Sequence, residues 1–313
     1  MIAYVIRRLL VTIPIMALVA VFVFMLLHLS PTDPALIIAG DFASPAQVDE
    51  IRRQLGLNDP LYQQFLHWTV NLLQGDMGKS IYSGLPVTTL ISQRVEPTLM
   101  LTLCTMLIAI VLAIPLGVVA AWKVGTWIDR VVMTLAVFGF SVPVFVIGYL
   151  LILGGSRKLG WFPVQGYTSI FDSFPGFLAH ITLPALTLGA VYMALIARMT
   201  RATMLEVLNE DYVRTAYAKG LATRKVLVKH ALKNAMVPIS TTIGLGVALL
   251  IGGVVVTETV FAIPGLGRLT VDAVLRTDYP VIQGVILVFS FTYVLLNLLV
   301  DLSYVLFDPR IRY

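Results

Sequence analysis

Residues 209–238 read NEDYVRTAYAKGLATRKVLVKHALKNAMVP, a basic, polar island between two long apolar runs. The long runs on either side read as membrane, so this is the segment at which a soluble partner is expected. Its local pattern predicts two short helices. Asn209 can cap the first, with Glu210 and Asp211 in the first turn at the positive end of the helix dipole, and Gly220 can end it. Val213, Ala216, Tyr217 and Leu221 then share a small apolar face suited to a groove. Thr223 can cap a second helix on which Lys225, Lys229 and Lys233 recur every fourth position, a self-repelling row unless anionic groups lie opposite. Composition alone allows two readings: charge that holds a loop in the cytoplasm, or a docking surface.

Working outward, the chain is 58% hydrophobic and 12% charged, with mean hydropathy +0.90. A soluble domain has about 25% charged residues, so this is an all-α integral membrane protein. The net charge of +5 sits between apolar segments rather than among exposed aromatics, which argues against nucleic acid and for orientation in a membrane. The single cysteine, Cys104, lies in an apolar run and allows no intramolecular disulfide and no cysteine metal cluster.

Apolar runs at 9–29, 98–121, 131–154, 177–197, 237–261 and 281–307 each meet the length of about 20 residues that a span needs, predicting six transmembrane helices. The first follows Arg7 and Arg8 and lacks a cleavage site, so it is read as uncleaved. Arg7, Arg8, Lys123, Arg130, the dense basic set of loop 198–236, and Arg310 with Arg312 fall on one side, which the positive-inside rule makes cytoplasmic together with both termini. The chain thus divides into residues 1–97, a helix with an external helical loop at 30–97, and residues 98–313, a core of five spans.

In the external loop, Ser44, Pro45 and Gln47 predict a helix start with a capping box, ended at Leu55-Gly56. A second helix after Pro60 places Leu61, Phe65, Trp68 and Leu72 along one side, a stripe read as packing against the ends of membrane helices. Gly78-Lys79-Ser80 imitates the end of a phosphate-binding loop. Leu73 stands where that loop needs glycine, and no strand precedes it, so ATP chemistry by this route is rejected.

Ionisable residues inside a bilayer are costly, about 2.5 to 3.5 kcal/mol at its centre, and mark function or a structural bond. Glu258 and Asp301 are the acids within predicted spans. Glu258 either lines an outer gate or caps the donors of the turn that follows it, with Pro264 and Gly265. Asp301 either pairs with a basic residue of the 209–238 region or makes a structural interhelical bond. Pro115 and Pro143 interrupt the second and third spans and, with Ser141, mark candidate pathway positions. His28 and His180 lie near span ends and read as interfacial rather than metal-binding.

The central segment resembles the coupling loop of ABC importer permeases, whose general pattern is E-A-A, three residues, Gly, nine residues, I-x-L-P. Arg214, Thr215 and Ala216 occupy the E-A-A positions, Gly220 matches, and His230 to Lys233 stand at I-x-L-P with the proline delayed to Pro238. The match is closer to the dipeptide, oligopeptide and nickel branch, with its D-Y-x-R-T-A-x-A-K-G at Asp211 to Gly220 and H-A-L-x-N-A at His230 to Ala235. Further family marks are E-T-V-F-x-x-P-G-L-G from Glu258, Asp278-Tyr279-Pro280-Val281, Asn297 to Asp301, and Asp308 to Arg312. Thr32 stands where the family usually has glycine.

The resemblance implies a type I ABC importer fold and a bacterial cytoplasmic (inner) membrane protein surrounded by lipid. It implies partners: a second homologous permease in a heterodimer, two ATPase subunits, and an extracytoplasmic substrate-binding protein. Asp211, Tyr212, Arg214, Thr215, Ala216, Lys219, Gly220 and Leu221 would then contact the ATPase. This chain would be non-catalytic and bind no cofactor, with ATP and Mg on the ATPases. The expected cargo is di- and oligopeptides; nickel chelates and glutathione-like solutes are alternatives. An ion-gradient transporter is opposed by the lack of an internal repeat and the scarcity of membrane acids. An intramembrane hydrolase is opposed by the lack of H-E-x-x-H and of a nucleophile elbow.

Overall fold

A computed structural model describes residues 2–29, 33–40, 43–54 and 56–307, with the side chains of 2–9, 54, 248–249, 251–252 and 299–307 outside the description. The sequence marks at Thr32, Leu55 and 308–312 therefore lie outside the described residues, as does the side chain of Asp301. The helices in chain order are α1 (Ile2–Leu29), α2 (Pro34–Ala39), α3 (Pro45–Gln54), α4 (Leu61–Leu73), α5 (Val87–Trp122), α6 (Trp127–Ser141), α7 (Val144–Leu151), α8 (Phe174–Leu208), α9 (Asp211–Ala218), α10 (Thr223–Lys225), α11 (Lys233–Val260), α12 (Leu266–Leu275) and α13 (Tyr279–Phe307). π-helical stretches at Ile152–Lys158 and Val226–Leu232 extend α7 and join α10 to α11. An isolated Lys79–Pro86 bridge is the extent of β pairing among the described residues.

Among the described residues, four helices are long and apolar enough to cross a bilayer: Leu10–Leu29, Val87–Trp122, Phe174–Leu208 and Tyr279–Leu298. The predicted third span is not straight. It is a pair, Trp127–Ser141 and Val144–Lys158, bent by 107°, which makes five spans if counted as one. Pro143 accounts for the break: it forces Val142 to an extended φ of −86° and ψ of 129° and serves as backbone cap of α7. Pro115 and Pro184, by contrast, lie inside uninterrupted helices, so Pro115 does not break the second span. The predicted fifth span, 237–261, lies on α11, which includes the four undescribed side chains at 248–252 and stands outside this count.

The described residues group into two compact units, those within 2–95 with 269–294, and 96–268 with 295–307. In the first, Ser44 and Gln47 form the expected capping box, the Ser44 amide donating to Gln47 Oε1 at 2.8 Å and the Gln47 amide to Ser44 Oγ at 3.4 Å. Asp33 caps α2 through the Ala35 amide and pairs with Arg52 of α3. Two residues of the α4 stripe pack as read, the Phe65 and Trp68 rings lying 5.3 and 5.8 Å from Phe24 near the end of α1, whereas Leu61 is exposed. The Ser80 hydroxyl donates to the buried Asp278 carboxylate, which also takes the Ile81 amide at 3.1 Å, so a turn rather than a phosphate loop forms there.

In the second unit, α5, α7, α8 and α11 enclose one apolar core that includes Leu101, Leu188, Ile196, Ile239, Leu250 and Ile263. Lipid tails are as apolar as leucine, so close backbone approach must supply much of the association. A Cβ added at Gly117 of α5 would lie 2.6 Å from Thr200 Cβ, and one at Gly139 of α6 would lie 2.8 Å from the Ala190 carbonyl oxygen of α8. Only glycine admits contacts this close.

Candidate functional site: the loop between α8 and α11

α8 does not stop at residue 197 but continues to Leu208, so Asn209 is not the cap of α9. It closes α8 at φ −86° and ψ −7°, with Nδ2 donating to the Leu205 carbonyl at 3.0 Å. Glu210, in extended backbone and with no side-chain cap bond, starts α9 instead. The far end forms as expected. Gly220 takes φ +75°, its amide donates to the Tyr217 carbonyl at 2.9 Å, and the Leu221 amide donates to the Ala216 carbonyl at 3.3 Å. Those two bonds are a Schellman stop, which needs glycine at the left-handed position.

The apolar face of α9 points inward. Val213 and Ala216 are buried with Val226, and Val207, Leu208 and Leu221 pack against them. The expected apolar groove surface is therefore consumed by the chain itself. A buried anchor facing α8 costs nothing in solubility, whereas the same face turned outward would be an exposed apolar patch. What α9 presents instead is Asp211, Tyr212, Arg214, Thr215, Tyr217, Lys219 and Gly220, all exposed. Asp211 and Arg214 are joined only loosely, at 3.4 Å.

Thr223 does not cap its helix either; Ala222, with no side-chain bond, holds that place. The second helix runs on through the π stretch into α11. Val226 and Ala231, five residues apart, face inward there, as i→i+5 turns require, while Lys225, Lys229 and Lys233 remain exposed.

Both ends of the loop meet at Tyr212. Its hydroxyl accepts from Asn234 Nδ2 at 2.7 Å and lies 3.5 Å from the His230 carbonyl oxygen. The D-Y and H-A-L-K-N-A stretches, far apart in sequence, are thus one hydrogen-bonded strut. Tyr212→Phe is expected to remove about 0.5–1.5 kcal/mol, seen as a lower unfolding midpoint of detergent-purified protein. Asn234→Ala should give a similar loss, and the double variant no further one. An unchanged midpoint in both singles rejects the strut.

The second constellation surrounds Glu258, which is fully buried. Its Oε1 accepts from the Thr98 hydroxyl at 2.6 Å and its Oε2 from the Arg268 amide at 2.9 Å; the Leu266 amide in turn donates to Thr98 Oγ1 at 2.8 Å. The carboxylate thus caps backbone donors of the turn after α11. Gly265 is buried against it: a Cβ there would lie 2.0 Å from Glu258 Oε1. Pro264, Ser141, Pro143 and Pro115 are exposed, whereas Glu258 and Gly265 are buried.

Two polar sites escaped the sequence reading. Asp129, just ahead of the predicted third span, is buried and paired with Arg201 of α8. Glu96 accepts from Ser169 at 2.6 Å and Tyr167 at 3.0 Å; burial first, and then Glu96, push the Tyr167 hydroxyl well above its ordinary value, so it remains a donor. The signal available for Asp129 was an acid in the first turn of an apolar helix. Among the described residues no group of three or more His, Cys, Asp or Glu could hold a metal.

Residues 113–313 match the family described as binding-protein-dependent transport system inner membrane component, and residues 1–102 match the N-terminal family of the same systems. The chain belongs to that family. It is a permease of the ABC importer class, a multi-pass protein of the cytoplasmic membrane. This permease is 53% identical over 310 residues to a probable peptide ABC transporter permease protein of Sinorhizobium fredii, covering 99% of each chain. It is 48% identical over 313 residues to the glutathione transport system permease protein GsiC of Escherichia coli K12, covering 100% of each. The fold is similar to that of the MetNI methionine ABC transporter in an inward-facing form, with a TM-score of 0.58 at 19% identity over 70% of this chain and 96% of that one. A permease of this family works with ATPase and substrate-binding partners.

Proposed function

We propose that this permease is one half of a heterodimeric, ATP-driven importer for dipeptides and short oligopeptides, non-catalytic itself. Two ATPase subunits would bind on the cytoplasmic side and hold ATP and Mg; a substrate-binding protein would deliver cargo outside. Six spans, α1, α5, the bent α6–α7 pair, α8, α11 and α13, with both termini in the cytoplasm, agree with the charge distribution.

The observation that carries the reading is α9, a short helix anchored by its apolar face and stopped at Gly220, with its polar face outward. Asp211, Tyr212, Arg214, Thr215, Lys219 and Gly220 would meet the ATPase there, while Ala216 and Leu221 serve as anchors on the inner side. α8, 35 residues long, spans about 52 Å at 1.5 Å per residue, roughly 22 Å more than a hydrocarbon core. It can therefore act as a continuous lever from α9 into the membrane. ATP must bind the closed arrangement of ATPases more tightly than the open one, and the lever conveys that difference.

The 53% identical relative supports peptides as cargo; the GsiC relative supports a second reading, glutathione. Reconstitution with the partner subunits and binding protein in proteoliposomes separates them. ATP-dependent uptake of labelled dipeptide, displaced by unlabelled peptides and weakly by glutathione, is expected. Uptake of glutathione alone favours the second reading, and uptake that follows an ion gradient without ATP sinks both.

A further inference from the structure

We propose that Asp129 and Arg201 form the joint through which movement of α9 and α8 reaches α6 and its bend at Val142–Pro143. The inference rests on the coupling role assigned to α9. Arg201 lies seven residues before the end of α8, about two turns from the start of the loop. Its Nε donates to Asp129 Oδ1 at 2.6 Å and its Nη2 to Oδ2 at 2.8 Å, the two-pronged geometry that fixes orientation as well as distance. The same carboxylate takes the Gly125 amide at 3.0 Å, in the turn that joins α5 to α6. One buried acid therefore holds α6, the α5–α6 turn and α8 together.

A second tie lies farther along the same two helices, where Gly139 abuts the Ala190 carbonyl. Ten residues of α6 and eleven of α8 separate the ties, about 15 and 16.5 Å, so the two helices run antiparallel in matched register. A surface cleft of about 260 Å³ runs along this seam, lined by Leu116, Val132, Leu135, Met193 and Ala197 among others. The ion pair and the glycine contact pin the two ends of this seam. α6 must then travel with α8, and its far end is the 107° bend into α7.

The test uses the whole importer in proteoliposomes, with ATP hydrolysis and solute uptake read from the same sample. Asp129→Asn is expected to lower uptake per ATP hydrolysed by roughly tenfold while the ATPases still co-purify. Arg201→Lys, which keeps a charge without the fork, should fall between. The Asp129→Asn/Arg201→Gln double variant should be no worse than the poorer single. A merely structural pair would lower hydrolysis, uptake and the unfolding midpoint together and leave the ratio unchanged. An unchanged ratio in Asp129→Asn, or in Arg201→Lys should the first not accumulate, overturns the joint, as do losses that simply add. An unmodified complex that takes up solute without hydrolysing ATP overturns the coupling reading beneath it instead.

Discussion

Gly220→Glu is expected to leave the permease in the membrane at its normal level and to reduce ATP-driven uptake by at least about 30-fold, the loss that corresponds to a docking hot spot of about 2 kcal/mol. The fold should survive because an added Cβ at Gly220 meets nothing within 4 Å. The backbone there, at φ +75°, costs a residue with a side chain about 1–2 kcal/mol. That strain is confined to the stop of α9. Function should not survive, because the new side chain projects from the exposed end of the proposed docking helix. Gly220→Ala separates the two effects. It carries the strain without the bulk or charge and should retain most uptake. Uptake by Gly220→Glu at the unmodified rate would remove residue 220 from the docking surface.

The largest effect on stability is expected at Gly265. An alanine Cβ would stand 2.0 Å from Glu258 Oε1, and the carboxylate cannot swing aside freely because Thr98 and the Arg268 amide both donate to it. Moving it orphans those two donors. At about 1–3 kcal/mol for each buried unpaired group the cost is about 2–6 kcal/mol, a large share of the 5–15 kcal/mol typical of a folded domain. Gly265→Ala should therefore lower the unfolding midpoint of the purified permease steeply and reduce the amount recovered from membranes. Adding Glu258→Ala to Gly265→Ala should cost less than the sum of the two single changes, because the clash is already gone. A midpoint equal to that of the unmodified protein would contradict the packing at this corner.

Much of the architecture was legible because bilayer thickness imposes it. Runs of about 20 apolar residues predicted helices, and helices stand at 98–121, 177–197 and 281–307. Three features extended beyond those runs. α8 continues to Leu208 because residues 198–208, although interrupted by Arg198, Arg201 and Glu206, contain no helix breaker, and hydropathy cannot see a helix once it leaves the lipid. The third span bends because Pro143 restricts Val142, whereas Pro115 and Pro184 are tolerated; sequence alone treats all three prolines alike. α9 was located correctly at its Gly220 end, where one residue type decides the geometry. Its start was misplaced because Asn209 suits an N-cap and a C-terminal turn equally well.

The site was legible as motif rather than as contact. Asp211 to Gly220 and His230 to Ala235 were visible as separate stretches, but only the fold brings Tyr212 to Asn234. Of the predicted apolar face of α9, Val213, Ala216 and Leu221 pack together against the chain itself while Tyr217 is exposed, since periodicity says which residues share a face and not what covers it. Glu258 carried two readings in the sequence, and only the fold shows its buried carboxylate taking the Thr98 hydroxyl and the Arg268 amide, the contacts that the capping reading requires. Asp129 was passed over because a charge at the edge of a span normally faces water; here Arg201, 72 residues on, meets it.

The central claim is that the exposed face of α9 docks on an ATPase. Single cysteines at Arg214, Thr215 and Lys219, in a chain whose Cys104 is replaced by serine, test it in native membranes with a short bifunctional thiol reagent and a cysteine-bearing ATPase. The account predicts a cross-linked permease–ATPase species from these positions, with a yield that changes when ATP is added, and none from a cysteine at Tyr82. A cross-link from Tyr82, or none from α9 in a complex that still imports solute, would contradict it.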